Sequence, residues 1–338
     1  MVAIVVSNGD ILSRPCDLLI LKHANGFHGV DQAVSAEIGF DGHVPNGEHV
    51  ILHGKNIEAR KVLYIGVGPL NTFRYEHIRN FAHQALEIAG RTKGEIRTIC
   101  TPLHGPGYGL DETEAFFSLI GGFLDAIRAG VYPSDLEKIE IVEAVSSRAT
   151  RLEKLLRSKL ASASKEAGRT ARSARPNTIR PSDVTDLRNT ARIQKELASY
   201  GAESEHKPKL FVAMPFNEDF SDEWEIAIQE ASAHAGIVSE RIDKTAYVGD
   251  VVSQIKKRIS EYDGLLALLN EHNPNVFLEI GFAWAKGKPT ILMMRKGNDL
   301  PFDVQGQKCL IYKSINDLRT QLREELAGLK KAGVFETT

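Results

Sequence analysis

Three stretches near the end of the chain decide its architecture: LFVAMPFNEDF at Leu210–Phe220, GLLALLN at Gly264–Asn270, and NPNVFLEIGFAWAKGKPTILM at Asn273–Met293. The run at Gly264 is apolar on every residue, as a strand covered on both faces of a parallel sheet must be. Around it, LFVAM, IVSERI, PTILMM and KCLIY have the length and β-branched content of strands. Helical patterns separate them. Asp222–Ala235 aligns Trp224, Ala227, Ile228 and Ala231 on one face and stops at Gly236. A second helix follows Asp250 as N-cap, and a third has Asn273 as N-cap and Pro274 as first residue and runs to Lys286. Ser314–Leu329 closes the series. Strands alternating with helices predict a doubly wound α/β domain with a five-stranded parallel sheet over residues 209–338.

The remaining sequence is long enough for a second domain. Apolar runs at Val2–Ser7, Leu18–Leu21, Val50–Leu52, Val62–Val67 and Ile96–Thr101 alternate with helical patterns at Tyr75–Ala89 and Thr113–Ala129, an α/β domain over residues 1–145. Residues 146–208 read as a connector: an amphipathic helix at Arg148–Leu160, then a stretch poor in apolar residues. Residues 146–195 carry 13 Lys/Arg against Glu153, Glu166, Asp183 and Asp186, a net +9 in a chain of formal charge −2. Such a stretch suits a solvated linker, and it also suits nucleic acid or an acidic partner, for which no motif speaks.

Cys16, Cys100 and Cys309 form no CxxC pair, so neither a disulfide framework nor a zinc ribbon is expected and no metal is assigned. MVAIVVSNGD lacks a basic leader and an apolar span, which predicts a cytoplasmic protein without membrane contact. P-loop, HExxH and GxSxG patterns are absent.

In open α/β sheets ligands lie beyond the carboxyl ends of the strands. There the sequence places Met214, Pro215, Phe216 and Asn217 after the first strand and Asn270 after the third. Glu279 follows, set among Val276, Phe277, Ile280, Phe282 and Ala283. A carboxylate in apolar surroundings costs free energy unless paired or functional. Helix geometry alone equally allows Glu279 to face solvent. Asp250 and Asn275 are candidate ribose contacts, Asp250 and Asn273 are equally well read as helix caps, and Arg241 and Lys244 are candidate phosphate contacts or plain surface charge.

Asn273–Met293 resembles the segment of TIR domains and nucleoside 2-deoxyribosyltransferases in which a Glu precedes a small-residue helix, a Gly-Lys turn and an apolar strand. In both families that Glu, matching Glu279, is the catalytic carboxylate, and LFVAMPFNEDF resembles their ligand-holding first strand and loop. The resemblance implies cleavage of an N-glycosidic bond through an oxocarbenium-like sugar. The transferases carry a second acid six positions before their Glu. Here that position is Asn273, which disfavours base transfer and favours NAD as substrate, with no cofactor.

At the other end, Ser7-Asn8-Gly9-Asp10-Ile11 and the segment leading to Asn25 resemble the start of a macro domain, with Asp10 at the adenine-reading position and Asn25 at the distal ribose. HGPGYGLDE at His104–Glu112 resembles its phosphate loop through Gly105, Gly107, Tyr108 and Gly109, and equally reads as a plain turn. The macro-like N-terminal domain of leucyl aminopeptidases is closer still, although no peptidase activity is expected. Together the resemblances imply an antiviral-type immune effector: a TIR-like NAD hydrolase gated by a macro-like module that senses an ADP-ribose-like nucleotide or drives homo-oligomer assembly. A nucleoside N-glycosidase or 2-deoxyribosyltransferase, and a non-enzymatic nucleotide-binding scaffold, are the alternatives.

Overall fold

The computed structural model describes residues 2–165, 178–179, 197–215, 217–241 and 251–335. It divides into two compact units, one of residues 1–105 and 115–203, the other of residues 106–114 and 204–338.

In the first unit the apolar runs become β1 (Val2–Asn8), β2 (Cys16–His23), β3 (His49–His53), β4 (Ala59–Gly66), β5 (Thr98–Pro102) and β6 (Lys138–Glu143), with a short β7 (Thr178–Ile179) at one edge. Their order is β3-β4-β2-β5-β6-β1-β7. The inner pairs are parallel, and the edge pairs β3–β4 and β1–β7 are antiparallel. Helices α1 (Val30–Ile38), α2 (Tyr75–Arg91), α3 (Glu112–Ala129, in this unit from residue 115 on) and α4 (Ser146–Lys165) accompany them. The amphipathic helix expected in the connector is part of this unit: α4 packs along β1 and β6 and buries Ala149, Leu152 and Leu156. Only fragments of the rest of the connector fall within the described residues.

β6 was not anticipated. Its KIEIVE carries a charge at every second or third position and reads as surface, yet Glu140 is buried. Ser7 Oγ and Lys138 Nζ each donate to it at 2.6 Å, and Arg14 Nε lies 3.4 Å away. Burial by itself would raise the Glu140 pKa, but these donors and charges outweigh it and hold the group below the usual carboxylate range.

The second unit contains β8 (Lys209–Ala213), β9 (Val238–Glu240), β10 (Gly264–Leu268), β11 (Thr290–Arg295) and β12 (Cys309–Tyr312), all parallel in the order β12-β11-β10-β8-β9. α5 (Gln229–Ala235), α6 (Val251–Glu261), α7 (Pro274–Ala285) and α8 (Ile315–Lys331) connect and close them. The unbroken apolar strands are explained by two separate cores. Leu266 and Leu268 pack with Val212, Met293, Trp224, Ile228, Leu318 and Leu322 on one face. Leu265, Ala267 and Leu269 pack with Phe211, Ile259, Val276, Ile280 and Ala283 on the other.

Two local readings are corrected. The helix expected from Asp222 starts as a π turn, Glu223–Ile228, in which Gln229 N–H donates to Trp224 O. The strand expected over IVSERI is confined to Val238–Glu240.

Candidate functional site

From β8 the chain goes to β9 on one side and then crosses to β10 on the other, so the strand order reverses between β8 and β10. A sheet of this order opens a crevice at the carboxyl ends of those two strands. Met214 and Pro215, the first residues after β8, are buried there. Asn217 Nδ2 donates to Glu271 Oε1 at 3.3 Å and bridges the loops that leave β8 and β10. After β9, Arg241 lays its guanidinium over the Trp224 ring at 5.0 Å, with Nη1 3.7 Å from Met214 Sδ.

The helix after β10 starts where its cap chemistry requires. Asn273 Oδ1 accepts from Asn275 N at 3.0 Å, and Pro274, which has no N–H to leave unpaired, occupies the first turn. Asn273 therefore acts as the cap, and Asn275 is exposed. One turn further on, Glu279 is only 8% exposed, next to the buried Val276 and Ile280. The solvent-facing alternative for Glu279 is thereby excluded, and a carboxylate is held in the apolar flank of the helix that leaves the central strand. Phe216, Lys244 and Asp250 lie outside the described residues.

Sequence reasoning missed a polar network joining the same strand ends. Asn270 Nδ2 donates to Tyr312 Oη at 2.6 Å, and Asn270 Oδ1 accepts from Arg295 N at 2.8 Å. Tyr312 Oη donates to Glu223 Oε1 at 2.8 Å, and Arg295 Nη2 lies 3.6 Å from the same oxygen. Burial, and then the neighbouring Glu223, raise the Tyr312 pKa, so the phenol stays protonated and able to donate. The only available signal was an acid at a position that a surface helix would also fill.

The N-terminal candidates do not fall within a single unit. Asp10, Asn25 and Gly105 belong to the first, whereas Gly107, Tyr108 and Gly109 belong to the second. Asp10 is exposed and closes a local turn, its Oδ1 accepting from Leu12 N at 3.0 Å. Asn25, exposed just after β2, has φ 55°. Gly105 and Gly109 have φ 118° and 92°, conformations that side chains disfavour, whereas a Cβ on Gly107 would meet open space. In the same stretch Asp111 is fully buried, accepting from Glu114 N at 2.9 Å and Ser239 Oγ at 3.2 Å. Burial pushes its pKa up to about 7, against those hydrogen bonds. In the first unit His104 is buried against the Phe81 ring at 5.0 Å, and burial followed by the charge of Lys22 holds its pKa well below the usual value. Among the described residues no group of three or more His, Cys, Asp or Glu could hold a metal ion, and no helix is long and apolar enough to cross a membrane.

No protein-family model matches the chain, and no curated protein does. Solved structures similar to part of it include an Oceanobacillus iheyensis macrodomain with MES bound, at 18% identity and TM-score 0.36, covering 47% of this chain and 92% of that one. The same organism's macrodomain with ADP gives 19% and 0.37, covering 46% and 91%. A Trypanosoma brucei macrodomain in complex with ADP-ribose gives 22% and 0.37, covering 45% and 68%.

Proposed function

We propose that the second unit cleaves the N-glycosidic bond between nicotinamide and ribose in NAD, with Glu279 as the catalytic carboxylate. The observation that carries this reading is the burial of Glu279 on α7, the helix that follows the central strand β10, beside the buried Val276 and Ile280. As the bond to nicotinamide lengthens, C1′ of the ribose gains positive charge, and a preorganised, buried carboxylate stabilises that charge more strongly than water can. Nicotinamide departs from a cationic ring and takes the bonding electron pair with it, so no acid is needed. Water then adds to C1′ and releases a proton, giving ADP-ribose. The cap role of Asn273 agrees with this choice, because the position of the second acid of base transferases is spent on the helix start.

Met214 and Pro215 would border the ligand from the β8 side, and Phe216, Asp250 and Asn275 are retained as substrate contacts from the sequence resemblance. The first unit, with Asp10, Asn25 and Gly105, is proposed as the gating module for an ADP-ribose-like nucleotide, and Gly107, Tyr108 and Gly109 of the second unit are retained as ligand contacts from the sequence resemblance only. Self-association completes the switch in this reading, and NAD loss is the output of an antiviral-type effector. These last points rest on sequence resemblance alone.

The test is incubation of the full-length protein with NAD over a range of protein concentrations, with and without ADP-ribose, following nicotinamide release. Release that depends on Glu279 supports the proposal. NAD left intact under every condition, with bases released from nucleosides instead, would move the chain to the transferase reading.

A further inference from the structure

Glu223 opens the π turn that follows β8, and its side chain is 1% exposed. Oε1 is served by Tyr312 and faces Arg295, whereas Oε2 is buried with no hydrogen-bond partner among the described residues. Leaving a buried carboxylate oxygen without a donor costs more than a typical hydrogen bond contributes, so such an atom calls for a donor supplied from elsewhere. Its surroundings narrow the choice. Tyr312 and Arg295 end β12 and β11, and Asn270 follows β10, so the carboxylate lies at the carboxyl edge of the sheet, where a ligand is expected. Arg295 is half-exposed and its guanidinium already faces Oε1, so a second cation would meet like charge and a phosphate would meet the carboxylate. A neutral hydroxyl donor meets neither objection. π turns also tend to occur at functional positions, because the extra residue re-aims the side chains around it.

We propose that Glu223, held by Tyr312 and Arg295, is the ribose-recognition residue of this crevice, its Oε2 accepting the 2′-hydroxyl of the sugar whose C1′ faces Glu279. The inference rests on the reading of the crevice as a nucleotide site and extends it: the substrate class is ribonucleotides, and 2′-deoxyribosyl compounds are discriminated against. A hydrogen bond from a hydroxyl to a buried carboxylate corresponds to about ten- to a hundredfold in affinity.

The experiment uses the full-length Glu279→Gln protein, in which turnover is removed, and titrates it calorimetrically with NAD and with an NAD analogue lacking the 2′-hydroxyl of the nicotinamide ribose. The expected result is at least about tenfold weaker binding of the analogue. Adding Glu223→Gln should weaken NAD to the level of the analogue while leaving the analogue unchanged. Equal binding of the two ligands overturns the inference even if the Glu223 variant fails to fold. Weakening of both ligands alike by Glu223→Gln also overturns it, in favour of a contact to the base. Binding of neither ligand overturns this inference and the nucleotide-site reading together, whereas NAD binding without discrimination leaves the Glu279 reading standing.

Discussion

Glu279 and Glu223 are both buried carboxylates of the second unit, and they differ in how far the sequence exposed them. Glu279 is conspicuous because its immediate neighbours are apolar; Glu223 sits in an acidic helix start, SDEWE, where any surface helix also places acids. Glu279→Gln keeps the volume and removes the charge, so the NAD cleavage proposed above should fall by about 10³-fold or more in kcat with KM little changed, the pattern of a group that acts on the transition state. A variant with kcat near wild type would remove Glu279 from the chemistry. Tyr312→Phe strips Glu223 of a donor and Asn270 of an acceptor in a buried setting, and should lower stability by about 1–3 kcal/mol in denaturant titration. Asp111 provides a pH signature. Its folded pKa, about 7, lies above the ordinary 3.8, so the folded state retains a proton that the unfolded chain releases. The associated stability is present below about pH 4 and is lost as pH rises toward 7, at a slope approaching about 1.4 kcal/mol per unit. Asp111→Asn should flatten that part of the stability profile; an unchanged slope would mean that Asp111 is ionised in the fold.

At the level of elements, the start of α7 was readable because a cap residue announced it. Asn273 accepts from a backbone N–H at its helix start, as the sequence suggested, and Ser314, which the sequence marked only as the beginning of the closing helix, accepts from Asp317 N. Asn273→Ala should therefore cost about 1 kcal/mol, measured as a shift in the unfolding midpoint. An effect on NAD binding beyond that shift would point to ligand contact as well. Gly264 starts the central strand in a tight place, where an added Cβ would lie 2.9 Å from Pro289 O and 3.0 Å from Leu210 Cδ2. Gly264→Ala should destabilise by about 1–3 kcal/mol through overpacking, with thermal unfolding as the check. The strand missed in the sequence, β6, shows the limit of periodicity: Glu140 is interior because Ser7 on the adjacent strand β1 and Lys138 two residues before it on β6 provide its hydrogen bonds, with Arg14 close by. The π turn escaped for a related reason, since one extra residue per turn leaves the apolar spacing of Trp224, Ala227 and Ile228 almost unchanged.

On the scale of the whole molecule, Pro106–Glu114 belongs to the second unit although nearly 90 residues separate it from Ser204. There Asp111 meets Ser239, and Glu114 accepts from Lys207 Nζ at 2.7 Å. A fragment of residues 204–338 lacks these partners and should unfold at a lower temperature than the same unit within the full chain; equal midpoints would show that the segment contributes nothing. The sequence by itself determined the α/β alternation, the five parallel strands after Lys209 and the candidacy of Glu279, because these follow from apolar period, cap residues and local composition. Only the tertiary structure decided which strands are neighbours, that Glu279 is buried, that Asn270, Tyr312, Arg295 and Glu223 meet, and that residues 106–114 group with a distant part of the chain. Those facts depend on contacts between residues far apart in sequence, and a buried charge is stable only where such partners converge on it.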